Sequence, residues 1–281
     1  MKYETIEYDL KDRVGIITLN RPEKQNAMND TMITELDDLL RRTETDLDPK
    51  VLIIKGAGQS FSIGQDLTGE GTSEIMAPSP GSPVNPKEFL ESERRRNRRW
   101  EYIFNYPKPT IAQVHGNCIG AGLYLAVVCD LVIASEDAVF GDPAMRMGLT
   151  SSMPLLIWLV GIKKAKELMY LGRNLTAKEA EEMGLINFTV SVAKLEQEVN
   201  RYAKAISICP GDGLPFCKES MNASLESRGI GAAWRYFNDI ALINQQCPFG
   251  SDEFNFFRAR DERGLEAAVE ERDAPFKDLG F

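Results

Sequence analysis

The chain has 281 residues, enough to bury a sizeable core in one large domain or two smaller ones. Hydrophobic residues make up 43% and charged residues 27%, an ordinary balance for a globular protein. With 42 acidic against 33 basic residues, the formal charge of −9 argues against a nucleic-acid binder, which usually shows a net basic balance or a basic face.

Residues 5–8 and 14–19 read as two strands around a turn at Lys11 and Asp12. Arg21 and Pro22 end the second strand. Asp30 then caps a predicted helix that carries Met32, Ile33, Leu36, Leu39 and Leu40 on one face. Residues 51–55 form a continuous apolar and β-branched run that empties into Gly56, Ala57 and Gly58, the pattern of a buried strand reaching a loop at a sheet edge. Residues 69–86 are rich in Gly, Ser and Pro and read as a long surface loop or lid. A helix is predicted to begin with residues 91–100 and to end before Pro107. Its five arginines, Arg94, Arg95, Arg96, Arg98 and Arg99, occupy nearly all sides, as on a solvated or subunit-facing surface or at a phosphate site.

Residues 110–114, 131–134 and 138–140 are strand-like, and residues 122–128 are helical. Helices near 163–171 and 177–183 and a strand at 186–190 continue the alternation, which indicates an α/β class. After about Lys194 helical segments dominate. The expected division is a core over residues 1–200 and a helical region over 201–281. Five irregularly spaced cysteines without a Cys-x-x-Cys pair indicate neither a disulfide framework nor a zinc site. The single histidine, His115, ends a strand and reads as structural, and no metal site is expected. Neither a signal peptide nor an apolar run of membrane-spanning length is evident, so the expectation is a cytoplasmic protein without membrane or nucleic-acid partners.

Two glycine loops carry the chemistry. The first is Ser60-Phe-Ser-Ile-Gly-Gln-Asp66, after the strand at 51–55. The second is His115-Gly-Asn-Cys-Ile-Gly-Ala-Gly122, after the strand at 110–114 and opening a helix. Glycines let a backbone approach a ligand closely, and amides at a helix start point outward unpaired. Two such amides aimed at one point form an oxyanion hole. The dinucleotide fingerprint Gly-x-Gly-x-x-Gly and the Gly-Lys-Ser/Thr phosphate loop are both absent.

With these loops stand Asn20-Arg-Pro-Glu-Lys-Gln-Asn-Ala27, Lys108-Pro-Thr-Ile-Ala-Gln-Val-His-Gly116, Cys129-Asp130, Ala177-Lys-Glu-Ala-Glu-Glu-Met-Gly-Leu185 and a Glu-Arg-x-x-Pro-Phe ending at Glu271 to Phe276. In this order and spacing they resemble the crotonase (enoyl-CoA hydratase/isomerase) superfamily over nearly the whole chain. The resemblance implies a spiral of repeated ββα units, a helical C-terminal trimerisation region, and a homotrimer or a dimer of trimers. It implies an acyl-CoA thioester as substrate and no separate cofactor.

By the same resemblance, the amides of Ile63 and Ala121 form the hole for the thioester oxygen. Lys24, Asn26, Ala27, Ser62, Gly64, Gln65, Asp66, Gly120 and Lys277 line the CoA and substrate path, with Lys277 reaching the CoA of a neighbouring subunit. Asp66 alternatively reads as a helix cap.

The chain departs from the family where hydratases carry two glutamates: Tyr124 stands at the first position and Ala144 at the second. Water addition uses two proton-transferring groups, and alanine cannot serve. Asp142, two residues before Ala144, is the first candidate for proton transfer, or else a turn cap. Tyr124 is the second, as a donor or as a core aromatic. The expected function is an acyl-CoA-transforming enzyme of hydratase/isomerase type acting on a bulky or alicyclic acyl group, in keeping with Met145, Met147 and Met153 nearby. Carbon–carbon hydrolysis or decarboxylation of a β-keto or malonyl-type ester, and CoA-ester binding without catalysis, stand as alternatives.

Overall fold

The structure is a computed structural model that describes residues 2–68, 81–151, 153–210 and 213–281. β1 (Ile6–Lys11) alternates exposed positions with buried or half-buried ones and pairs antiparallel with β2 (Val14–Leu19). Between them Asp12 and Arg13 take positive φ and reverse the chain. Next to β2 lies β3 (Val51–Gly56), whose first four residues are all buried, as its uninterrupted apolar run requires when both faces of the strand are covered. β4 (Thr110–Val114), β6 (Leu131–Ser135) and β9 (Phe188–Val190) continue in parallel, giving the order β1-β2-β3-β4-β6-β9. A smaller sheet holds β5 (Asn117–Ile119), β7 (Val139–Gly141) and β8 (Leu175–Thr176).

The two sheets are linked by a repeated course. β4 leads to β5 and then to α3 (Ala121–Val128), and β6 leads to β7 and on to α4 (Leu156–Leu171). The segment after β3 follows the same path: Ser62 bridges Cys118 in parallel, and the Phe61 amide donates to the His115 carbonyl over 2.8 Å. This is the expected spiral of ββα turns. α3 is buried along its whole length, so its side chains form the centre of the larger core cluster. α6 (Leu195–Ser207) covers the opposite face of the large sheet with Leu195, Val199 and Ala203 against Val51, Ile53, Ile111 and Ile133.

The remaining helices are α1 (Asp30–Thr45), α2 (Pro86–Phe104), α5 (Ala177–Glu182), α7 (Gly213–Glu226), α8 (Ile230–Gln245), α9 (Phe256–Arg263) and α10 (Leu265–Lys277). α8 packs along α2, and α9 and α10 pack on each other. Several boundaries differ from the sequence expectation, three of them at helix starts. Asn29, not Asp30, caps α1, its side chain accepting from the Met32 amide at 3.0 Å. α2 starts at Pro86, capped by Asn85, because proline is preorganised for the first helical turn. α4 starts at Leu156 and is interrupted at Gly161, where φ is +75°. Most of the expected loop at 69–86 lies outside the described residues.

Candidate active site

The first glycine loop leaves β3 and runs beside residues 25–28. Met28 and Gln65 form a parallel bridge in which the Met28 amide donates to the Gly64 carbonyl (2.7 Å) and the Asp66 amide to the Met28 carbonyl (3.0 Å). In a parallel bridge the central residue of the second segment turns its own N–H and C=O the other way. The Gln65 amide therefore faces away from this pairing and takes no partner among the described residues. The Ile63 amide, by contrast, donates to the Gln25 carbonyl at 3.2 Å. The expected Ile63 contribution to an oxyanion hole is thus corrected: its N–H is committed within the protein.

The second loop brings Ala121 to the first position of α3, where a helix amide has no intrahelical acceptor, and the Ala121 N–H takes no partner among the described residues. Gly64, at φ +91°, lets the two loops meet. A β-carbon there would lie 2.6 Å from the Ile119 carbonyl oxygen and 3.1 Å from the Ala121 nitrogen. Gly122 is required in the same way, since a β-carbon would sit 2.5 Å from the Ser62 carbonyl oxygen. Gln65 and Ala121 both line one cavity of about 600 Å³. That volume is in the range that encloses a small-molecule ligand.

Asp142 follows β7 and Tyr124 lies one turn into α3, and both line the same cavity. The Tyr124 hydroxyl donates to Asp142 Oδ2 at 2.6 Å and lies 3.0 Å from Ser151 Oγ. Asp142 Oδ1 accepts from the Ala144 amide at 3.1 Å. Burial pushes the Asp142 carboxyl above the ordinary aspartate range, and the hydrogen bonds from Tyr124, Ala144 and Ser151 offset only part of that rise. The Trp100 ring meets the Tyr124 ring edge-on, 6.1 Å between centroids, and fixes the phenol from behind. The two candidate proton-transfer residues are therefore brought together. At position 144 an alanine meets the cavity, and Met147 is the only one of the three expected methionines that lines it.

Of the residues expected along the substrate path, Lys24, Ala27, Gln65, Asp66, Gly120 and Lys277 line the cavity, with Lys277 on the wall of this chain's own cavity. Three do not. Asn26 is buried, accepting from the Arg21 amide and donating to the Ala57 and Ser60 carbonyls. Ser62 is buried, donating to the Asn26 carbonyl and accepting from the Gly64 amide. Gly64 provides the close approach of the loops. These three build the loop and do not line this cavity. Asp66 is likewise held by the protein: burial would raise its carboxyl, but Thr68 and the Arg21 guanidinium at 2.9 Å keep it below the ordinary range. His115 Nε2 lies 3.0 Å from the Gly58 carbonyl, in keeping with a structural part.

Sequence reasoning missed Glu93 of α2 and named Arg96 only as one of five arginines on a charged helix; the two pair with each other and line the cavity. The spacing of Phe89, Glu93, Asn97, Trp100 and Ile103, all buried, marks one helical face and was the available signal. Among the described residues no group of three or more His, Cys, Asp or Glu side chains could hold a metal ion, and no helix is long and apolar enough to cross a membrane.

Comparison with known proteins agrees with this architecture. The sequence profile of the family described as enoyl-CoA hydratase/isomerase matches residues 9–279. A crystal structure of an enoyl-CoA hydratase/isomerase from Xanthobacter autotrophicus Py2 is 33% identical, with a TM-score of 0.85 over 98% of this chain and 99% of that one. An enoyl-CoA hydratase from Mycobacterium smegmatis is 30% identical, with a TM-score of 0.86 over 97% of this chain and 94% of that one. A Rhizobium meliloti (strain 1021) protein named "Probable enoyl-CoA hydratase" is 31% identical over 283 residues, 99% of each chain. A profile match across almost the entire length, joined to the ββα spiral, places this chain in the enoyl-CoA hydratase/isomerase, or crotonase, family.

Proposed function

We propose that this chain is a crotonase-type enzyme that moves a double bond in a bulky or alicyclic enoyl-CoA by way of its enolate. The Gln65 and Ala121 amides receive the thioester oxygen as negative charge develops on it. Asp142, as the carboxylate, takes a proton from the carbon next to the thioester. The C–H electron pair then delocalises through the carbonyl and the double bond, giving a dienolate. The same carboxyl returns the proton at the γ-carbon, so that a β,γ-double bond becomes α,β. One carboxylate suffices for this shift, whereas water addition needs a second group to act on water. The Tyr124 hydroxyl, donating to Asp142, orients the carboxylate and favours its ionised form.

The observation that carries this reading is the hydrogen-bonded Tyr124–Asp142 pair on the wall of the cavity that Gln65 and Ala121 also line. Incubation with a panel of straight-chain and alicyclic enoyl-CoA esters, followed by liquid chromatography and mass spectrometry, tests it. Isomerisation leaves the mass unchanged and shifts the retention time. A gain of one water, a loss of carbon dioxide, or binding without any change in the ester overturns the assignment.

A further inference from the structure

α2 carries a charged pair that the reaction above does not use. Glu93 is 2% exposed and the Arg96 side chain 14%, the two are joined directly, and both line the active-site cavity. They lie three residues apart on one helix, so the pair ties no two elements together. Among the described residues neither side chain makes a hydrogen bond or ion pair to another element with which to offset the desolvation of two charges. Arg96 Nε is buried and has no hydrogen-bond partner among the described residues.

Position along the helix relates the pair to the chemistry. Trp100 packs against the Tyr124 ring. With a rise of about 1.5 Å per residue, Arg96 stands about 6 Å and Glu93 about 10 Å further toward the start of α2. Phe89, Ala241 and Gln245 line the cavity beside them. An acyl group whose thioester oxygen rests on Gln65 and Ala121, and whose reacting carbons face Asp142, can continue along α2 to this pair.

We infer that Glu93 and Arg96 recognise a neutral oxygen function, a ketone or a hydroxyl, carried on the acyl group away from the thioester. The substrate class is then an oxygen-bearing enoyl-CoA and not a plain hydrocarbon one. A ketone or hydroxyl oxygen can accept from the Arg96 guanidinium where that side chain borders the cavity, and a hydroxyl can also donate to Glu93. Glu93 already balances the charge of Arg96, so a ligand carboxylate would add a second negative charge in a buried site. Burial moves the Glu93 carboxyl upward while the Arg96 charge holds it down, as expected for a pair kept from water. The inference rests on reading the cavity as an acyl-CoA site.

The test uses four matched cyclohexenyl-carbonyl-CoA esters that differ only opposite the thioester, where they carry hydrogen, a ketone, a hydroxyl or a carboxylate. Dissociation constants and kcat/KM are measured for each with the wild-type chain. The ketone or hydroxyl ester is expected to exceed the unsubstituted one by about 100-fold in kcat/KM, since a site built to hydrogen-bond a substrate oxygen discriminates strongly against its absence. In the double variant Glu93→Leu, Arg96→Met the ratio is expected to fall to near one, with circular dichroism and the thermal midpoint reporting on folding. If that variant does not fold, the wild-type ratios and those of Glu93→Gln decide.

Equal handling of the unsubstituted and oxygenated esters by the wild type overturns the inference, and so does preference for the carboxylate. A ratio unchanged in a folded double variant overturns it as well. If the unsubstituted ester is processed but oxygen confers no advantage, this inference alone falls. If none of the four esters binds, the acyl-CoA reading falls with it.

Discussion

Replacement of Ala121 by proline removes one N–H and no hydrogen bond among the described residues. The Ala121 amide has no partner among the described residues, and residue 121 is the first of α3, a position where proline's fixed φ and missing donor are tolerated. The preceding Gly120, at φ +54° and ψ −118°, lies outside the α region that a following proline disfavours. Loss of one oxyanion-hole donor lowers kcat by about 100- to 1000-fold, or about 2.7–4 kcal/mol of transition-state stabilisation. The loss is expected in kcat more than in KM, because the hole is strongest when charge has developed on the oxygen. The assay is exchange of the α-hydrogen of a saturated acyl-CoA for deuterium in D₂O, read by mass spectrometry, which follows enolate formation whatever the natural acyl group. Ala121→Gly, which keeps the amide, controls for the altered side chain, and the thermal midpoint reports on folding. A folded Ala121→Pro protein that exchanges within about threefold of wild type would refute the reasoning.

Asp142→Asn is expected to slow the same exchange by about 100- to 10,000-fold, the usual scale for losing a proton-transferring group. It also carries a stability signature. Burial raises the folded-state pKa of Asp142, so its contribution is fully present below the unfolded pKa and is lost as pH rises through the folded value. The thermal midpoint of Asp142→Asn relative to wild type should therefore climb with pH, and a constant difference would contradict the burial argument. Tyr124→Phe removes a donor that favours the ionised carboxylate, so the acidic limb of kcat/KM should move to higher pH. An unmoved limb would separate Tyr124 from Asp142 in function. Arg21→Met leaves the buried Asp66 without its cation and is expected to cost about 3 kcal/mol at neutral pH, read from urea denaturation. Because the folded pKa of Asp66 is depressed, that loss should shrink as pH falls through it, and a pH-independent loss would point to packing instead.

The large sheet was readable because its strands are apolar runs bounded by turn residues, as Val51 to Ile54 illustrate, and a strand covered on both faces needs that pattern. β5 and β8, of three and two residues, are too short for a periodicity to register, although β5 carries the second glycine loop into α3. Tyr124 and Asp142 were found by looking where the family's glutamates are missing; their 2.6 Å hydrogen bond depends on how α3 meets the end of β7. The amide expected from the first loop, that of Ile63, is bonded to Gln25, while the Gln65 amide two residues on has no partner among the described residues. Which N–H faces outward in residues 63–66 is set by their pairing with residues 25–28, a tertiary register that the glycine pattern does not encode. Glu93 and Arg96 were hidden in an arginine-rich stretch that looks charged on every side, while its buried face is legible only from the 89, 93, 97, 100 spacing.

The most direct test of the account is a crystal structure of the chain with a non-reactive acyl-CoA thioether or ester bound. The thioester oxygen, or its stand-in, is expected within about 3 Å of both the Gln65 and Ala121 nitrogens, with the α-carbon facing Asp142. An oxygen bound elsewhere in the cavity, or one that meets the Ile63 nitrogen in place of Gln65, would contradict it.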